Sequence, residues 1–236
     1  MNRAEFVLSA TGLNRVPFVE EISLYLAADI YEAWRGTELH ADQSDLAPPF
    51  WAFAWPGGQA LARYLLDHPE LVSGRSVLDV GCGSGLVAIA AAKAGAAAVT
   101  ASDSDPFARS AVELNARANR VTVSVVRDVL GGTHEADVVL AGDVWYEQGL
   151  SNLVMSFLDQ AAAAGAEVLA GDIGRRYFPR DRFRRVASYQ VPVSRALESA
   201  ETMLASVWIR RDDDDTRDSR PAGPDPFARQ SDVLPT

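Results

Sequence analysis

The 236-residue chain contains one cysteine, one lysine and three histidines, and each scarcity removes a class of chemistry. With Cys82 alone, no intramolecular disulfide can form, which fits a reducing cytosol. Cys82 sits inside a glycine turn with no fixed histidine partner, so it reads as a small space-filling residue rather than a nucleophile. His40, His68 and His134 are scattered without ligand spacing, and no metal site is expected. Lys93 is the sole lysine and every other basic residue is arginine, a bias that GC-rich coding accounts for. No apolar run approaches the roughly 18 residues that a membrane span needs. The N-terminus carries an acid at Glu5 and lacks the basic-then-apolar order of an export signal. A cytoplasmic protein that does not enter a membrane is expected.

Net charge is −10, which repels phosphate backbones and weighs against nucleic acid as a partner. One local exception is the basic cluster Arg175, Arg176, Arg180, Arg182, Arg184 and Arg185. Nearly half the residues are apolar, enough for a sizeable core, and the length suits one domain with extensions. Nothing fixes the oligomeric state; a monomer is the expectation.

Three regions separate along the chain. Residues 1–47 read as a helical extension, because Ile22, Leu24, Leu26, Ile30 and Trp34 recur loosely at helical spacing from Val19 onward. Pro48-Pro49 closes it. Residues 48–211 begin with the aromatic segment Phe50-Trp51-Ala52-Phe53-Ala54-Trp55-Pro56-Gly57-Gly58 and a helix over Gln59–Asp67. Strands are then predicted at Ser76–Val80, Ala97–Ala101, Val121–Val126, Asp137–Ala141 and Glu167–Ala170. Helices at Leu86–Ala94, Pro106–Ala118 and Gln148–Ala163 alternate with them. Val186–Val193 and Met203–Ile209 can close the sheet. This alternation predicts an α/β fold, a mainly parallel sheet with helices on both faces. Residues 212–236 open with four aspartates, have almost no apolar content, and read as a disordered acidic tail.

The strongest local pattern is Asp79-Val80-Gly81-Cys82-Gly83-Ser84-Gly85 between a strand and a helix. Glycines let the backbone turn tightly and approach a ligand. A dinucleotide site has the spacing Gly-x-Gly-x-x-Gly and seats a pyrophosphate on the helix end. Here the spacing is Gly-x-Gly-x-Gly with an acid two residues ahead. That acid suits a cationic ligand better than a phosphate. Asp103, at the end of the next strand, stands where a carboxylate grips ribose hydroxyls. Its alternative is the N-cap of the helix opening at Pro106, a role Asp105 fits better. Asp128 ends the third strand, where it can accept from an adenine amino group or simply make a turn.

These features resemble the seven-stranded, class I methyltransferase family over about Pro48–Arg210. The resemblance implies S-adenosyl-L-methionine as cofactor and a Rossmann-like seven-stranded sheet whose last strand, Met203–Ile209, runs antiparallel. It places Asp79, Gly81, Cys82, Gly83 and Gly85 around the methionine end of the ligand and Asp103 on its ribose.

The fourth strand ends in Gly142-Asp143-Val144-Trp145-Tyr146-Glu147. Asp143 can accept a hydrogen bond from an acceptor amine and orient its lone pair, and Tyr146 can wall the channel and face a cation. Taken alone, these two also read as an N-cap aspartate and a core aromatic. Asp143-Val144-Trp145-Tyr146 matches the Asp-x-x-Tyr motif of the lysine methyltransferase group. The segment from Pro49 to Leu66, with Gly171–Arg175 and Ala205–Trp208, is similar to the electron transfer flavoprotein β-subunit lysine methyltransferases within that group. That resemblance implies a protein-lysine methyltransferase, with Asp143 and Tyr146 catalytic and Asp143 also near the cofactor. It sets Trp55 over the cofactor, and Trp51, Trp145, Asp172 and Arg175 toward a protein substrate, the electron transfer flavoprotein β subunit. The absence of a mitochondrial targeting segment and the acidic tail depart from the animal members and suggest a bacterial homologue. The alternatives are methylation of a ribosomal protein or of a small amine such as a nicotinamide-like compound, and a module that binds the cofactor without catalysis.

Overall fold

A computed structural model describes residues 2–41, 47–132, 134–193 and 201–211. Its centre is a seven-stranded sheet built from β3 (Ser76–Val80), β4 (Ala98–Ser102), β5 (Ser124–Val126), β6 (Val138–Gly142), β7 (Glu167–Asp172), β8 (Phe183–Pro192) and β9 (Thr202–Arg210). Their spatial order is β5-β4-β3-β6-β7-β9-β8. The strands from β3 to β7 pair in parallel, and β9 pairs antiparallel to both β7 and β8. The α/β fold class and the antiparallel last strand expected from the sequence are both borne out.

Parallel strands are covered on two faces and so read as unbroken apolar runs. Leu78, Val139, Leu140, Leu169 and Ala170 are accordingly buried. On one face lie α3 (Pro56–Asp67) and α4 (Leu86–Lys93), packed with Leu61, Leu65, Ala88 and Ala91 against Val77, Leu140, Leu169 and Val207. On the other lies α6 (Gln148–Ala163), which buries Val154, Phe157 and Leu158 against Val139, Ala141 and Ala170. α5 (Pro106–Ala118) starts where proline costs no hydrogen bond, and Asp105 caps it by accepting from the Phe107 amide at 2.7 Å.

The helical reading of residues 19–34 is overturned. After α1 (Arg3–Ala10), Gly12–Val16 (β1) and Val19–Leu26 (β2) form an antiparallel hairpin, and a helix, α2, runs only over Ile30–Ala41. The repeat Ile22-Leu24-Leu26 is a strand period, and the fit of Ile22, Leu26 and Ile30 to a helical period was accidental. What secures β2 as a strand is distant. The Asn115 side chain accepts from the Tyr25 amide at 2.7 Å, and Asn119 accepts from the Ser23 amide at 3.0 Å. Asn119 also donates to the Ser23 carbonyl at 2.6 Å. Two asparagines, one in the last turn of α5 and one at its C-cap, thus stand in for a neighbouring strand along the free edge of β2.

Smaller departures have local causes. The third predicted strand starts at Ser124 rather than Val121, because the Val121 amide closes the end of α5 on the Ala116 carbonyl at 3.1 Å. β8 begins at Phe183, three residues early, where arginines and a register shift near Arg185 mask the alternation. The expected tail, residues 212–236, lies outside the described residues. Among the described residues, no helix is long and apolar enough to cross a membrane.

Candidate active site

The C-terminal ends of β3, β4 and β6 open into one cavity of about 270 Å³. Ligands bind at this edge in open α/β sheets, where the strand order switches direction. Val80 and Gly81 come from β3 and its turn, Ser102 and Asp103 from β4, and Gly142 and Asp143 from β6. Phe50, Trp55, Tyr146 and Arg175 complete the upper wall, and Leu150, Leu153 and Val154 of α6 make an apolar side.

The glycine turn has the backbone that the spacing predicts. Gly81, Gly83 and Gly85 all take positive φ, at 64°, 51° and 80°. A Cβ on Gly81 would also lie 2.8 Å from a Val144 methyl group, so neither conformation nor space admits a side chain there. Asp103 closes the turn onto β4. One oxygen accepts from the Gly83 amide and the other from the Asp105 amide, each at 2.9 Å. Burial pushes the Asp103 carboxyl up to about 6, against the pull of those two bonds.

Asp79 is buried, and its carboxyl accepts from the Ala88 amide at 3.0 Å. Ala88 is the third residue of α4, so this carboxyl caps the helix from the strand before it. A dinucleotide's pyrophosphate would need those helix amides; here a carboxyl already uses one of them. Burial raises the Asp79 carboxyl to about 8, with Asp103 adding to the rise. Asp79, Cys82, Gly83 and Gly85 do not line the cavity. Cys82, Gly83 and Gly85 form the turn together with Gly81, and Asp79 is buried in β3 just before it.

Asp143 has a φ of +57°, rare for a residue with a side chain, and is buried. Its amide donates to the Gly171 carbonyl at 2.9 Å, which holds that conformation. One carboxylate oxygen accepts from the Gly58 amide at 2.7 Å, the other from the Arg175 guanidinium at 3.2 Å. Burial raises its carboxyl to about 6, and the Arg175 charge opposes the rise. The Trp55 indole is fixed by donating to the Phe50 carbonyl at 2.9 Å, and Arg175 stands 5.9 Å from the centre of its ring. Tyr146 is 47% exposed and packs 5.0 Å from Phe50. Asp128 lines the cavity and accepts from the Leu130 amide at 3.0 Å.

Three residues placed toward a protein substrate by resemblance are elsewhere. Trp51 stacks on Phe107 and is 1% exposed; Trp145 is fully buried between Phe178 and Phe183. Both are core residues, because the adjoining chain turns them inward while Phe50 and Tyr146 take the cavity side. Asp172 is also fully buried. Its carboxylate is turned inward by the amides of Gly174 and Arg175, both at 2.6 Å, and it backs Arg175 rather than facing the cavity.

The sequence reading missed Phe50, Asp105, Leu150 and Leu153 as lining, and the Gly58 amide as a partner of Asp143. The spacing of Leu150, Leu153 and Val154 is that of one helix face. Leu153 is left 56% exposed on it, a pattern without a place until the cavity is seen. Among the described residues, no group of three or more His, Cys, Asp or Glu side chains is placed to hold a metal.

The cavity sets four carboxylates, Asp103, Asp105, Asp128 and Asp143, against a single guanidinium, Arg175. That balance fits a ligand carrying positive charge, such as a sulfonium with an amino group, and repels a phosphate. Fold, glycine turn and charge together define a methyltransferase of the seven-stranded class, with S-adenosyl-L-methionine as its methyl donor.

The comparisons narrow this. The family model for ribosomal protein L11 methyltransferase (PrmA) matches residues 60–175. The electron transfer flavoprotein beta subunit lysine methyltransferase of Danio rerio is 37% identical, over 86% of this chain and 81% of its own. The human protein of that name is 36% identical, over 71% and 68%. A ribosomal protein L11 methyltransferase of Methylococcus capsulatus is 40% identical over 64% of this chain and 48% of its own. A crystallised candidate RNA methyltransferase of Pyrococcus horikoshii superposes with a TM-score of 0.52, at 17% identity over 71% of this chain and 90% of its own, and shares the fold. The chain belongs to the family of the electron transfer flavoprotein beta subunit lysine methyltransferases. It is a protein-lysine methyltransferase.

Proposed function

We propose that this enzyme methylates a lysine of the electron transfer flavoprotein β subunit, and that Asp143 receives the acceptor amine. The observation that carries the reading is the upper end of the cavity. There a buried carboxylate, held by the Gly58 amide and Arg175, faces the space walled by Trp55 and Tyr146. The names of the relatives from zebrafish and human support the substrate.

S-adenosylmethionine, when bound, supplies a methyl group already activated by the positive charge on its sulfur. This chain must hold that group, align the acceptor and provide an uncharged amine. Asp103 accepts from the ribose hydroxyls and Asp128 from the adenine amino group. Gly81 lets the backbone come close, and Trp55 covers the ligand. A free lysine, with a pKa of about 10.4, is mostly charged at neutral pH. Moving it into a desolvated channel disfavours the charge, and the Trp55 and Tyr146 rings receive the ammonium at the entrance. The Asp143 carboxylate accepts one N–H of the amine, which turns the nitrogen lone pair toward the cavity. The same carboxylate, its pKa raised by burial, can also take the departing proton.

The test is to incubate the protein with labelled S-adenosylmethionine and the electron transfer flavoprotein of the same organism, then map mass gains on the β subunit. Methyl masses on one lysine, absent with Asp143→Ala, support chemistry and substrate together. The match to the ribosomal protein L11 methyltransferase model favours a second reading, in which a ribosomal protein is the acceptor. Label on that protein and none on the flavoprotein would move the assignment there.

A further inference from the structure

Arg175 stands where an acceptor's charge belongs. Its guanidinium contacts Asp143 at 3.2 Å and lies over the Trp55 ring at 5.9 Å. A carboxylate and an aromatic face are the two partners that a lysine ammonium would seek. The contact with Asp143 is also a poor one for an arginine. It is a single-point contact and longer than the roughly 2.7–2.9 Å of strong charged hydrogen bonds.

A second seat for the same guanidinium lies beside the first. Arg175 Nε is buried without a hydrogen-bond partner, and so is Asp172 Oδ2. These two unpaired atoms are 4.0 Å apart, about an ångström beyond bonding distance. Buried donors and acceptors that lack partners are costly, so a shift that joins them is favoured once something else neutralises Asp143. The backbone is already anchored for such a shift. The Arg175 amide donates to Asp172 Oδ1 at 2.6 Å, so the side chain can change rotamer while its own backbone stays fixed. The charge balance points the same way. Asp143 and Asp172 are both buried and share Arg175, while Arg180 acts on Asp172 from further off, so a second cation at Asp143 can be accommodated.

We propose that Arg175 is a cation placeholder, holding Asp143 and Trp55 in place of the acceptor's ammonium and yielding that seat by moving onto Asp172. The idea rests on the reading of Asp143 as the acceptor-side group. Arg175 is then a positioning residue. It keeps the buried Asp143 ionised and aligned while the channel is empty, and it sets a threshold, since only a cationic side chain can replace it. Neutral amides and hydroxyls do not compensate Asp143 and are turned away.

The experiment uses the full chain with S-adenosylhomocysteine present and n-butylammonium as a lysine-like probe, its affinity read by calorimetry or ligand-observed NMR. A placeholder lowers the apparent affinity for its replacement by the fraction of time it is seated. Arg175→Met should therefore bind n-butylammonium at least about threefold more tightly than the wild type. The same variant should show a lower KM for the protein acceptor together with a lower kcat, because Asp143 is no longer held. Asp172→Asn, which weakens the second seat, should shift both affinities the other way. A cooperative urea transition with the wild-type slope serves as the check on folding. A merely structural arginine would give a weaker or equal affinity in Arg175→Met, and that result overturns the proposal. If Asp143→Asn binds n-butylammonium as well as the wild type, the assignment of Asp143 itself is what fails.

Discussion

Gly57 and Gly171 meet with no room for a methyl group between them. A Cβ on Gly57 would lie 2.5 Å from the Gly171 carbonyl oxygen and 2.7 Å from the Asp143 carboxylate. This close crossing lets the first turn of α3 reach the end of β6, and so lets the Gly58 amide bond Asp143. Gly57→Ala must push helix and strand apart. Overpacking of this kind costs about 1–3 kcal/mol. A lower urea midpoint at unchanged slope is expected, with a fall in methyl transfer larger than the loss of folded protein explains.

Asp143→Ala should separate binding from transfer. The cofactor contacts proposed here are made elsewhere, so affinity for S-adenosylmethionine by calorimetry should stay within a few-fold. The rate at saturating substrates should fall by at least about a hundredfold. Retained transfer would remove Asp143 from the acceptor side.

Asp103→Ala tests the opposite end. Loss of a charged acceptor for two ribose hydroxyls should weaken S-adenosylhomocysteine binding roughly tenfold or more. The wild-type carboxyl sits at about 6 because of its burial. Binding should accordingly weaken as pH falls below that value, a dependence that Asp103→Ala lacks.

Asp79 makes a stability prediction whose sign is definite. Its carboxyl rises from an ordinary 3.8 to about 8 in the folded protein, through burial first and Asp103 second. Between those values the native state binds a proton that the unfolded chain releases. Stability of the ligand-free protein should therefore be greatest at the acid end of that window and decline as pH rises toward 8. Asp103 and Asp143, both raised to about 6, add to the decline in its lower half. Asp79→Asn keeps an acceptor for the Ala88 amide and carries no charge, so its urea midpoint should vary less between pH 5 and pH 8. Parallel curves for the two proteins would show that Asp79 is ionised in the fold.

Trp145 and Tyr146 are neighbours in sequence with opposite expected phenotypes. Trp145→Ala empties a core position and should cost about 3–5 kcal/mol, read as a lower melting temperature. Tyr146→Ala should leave melting nearly unchanged and raise KM for the protein acceptor.

That pair also shows where sequence reasoning stops. Strand and helix alternation, the glycine turn and its following acid are local patterns, and β3 to β7 stand close to where those patterns put them. Asp103, Asp143, Tyr146, Trp55, Asp128 and Arg175 do gather at one cavity. What the order of residues does not carry is the direction of a side chain at an irregular turn. Trp145 stands two residues after Asp143, whose φ is positive, so no strand or helix period tells which way it faces. Trp51 has the same ambiguity in a short turn. β2 escapes a sequence reading for a different reason, since the groups that complete it belong to α5 and its C-cap.

The asparagine clasp on β2 has a consequence for the order of assembly. The Tyr25 and Ser23 amides find their acceptors 90 and 96 residues further along the chain. Closing loops of that size is slow, and the observed acceptors of the two amides arrive only with Asn115 and Asn119. During synthesis the hairpin must wait, with one rim of β2 open, until α5 has left the ribosome. The segment translated early is thus among the last to be sealed, and the interval before α5 emerges is when a stray strand from another chain could claim that rim.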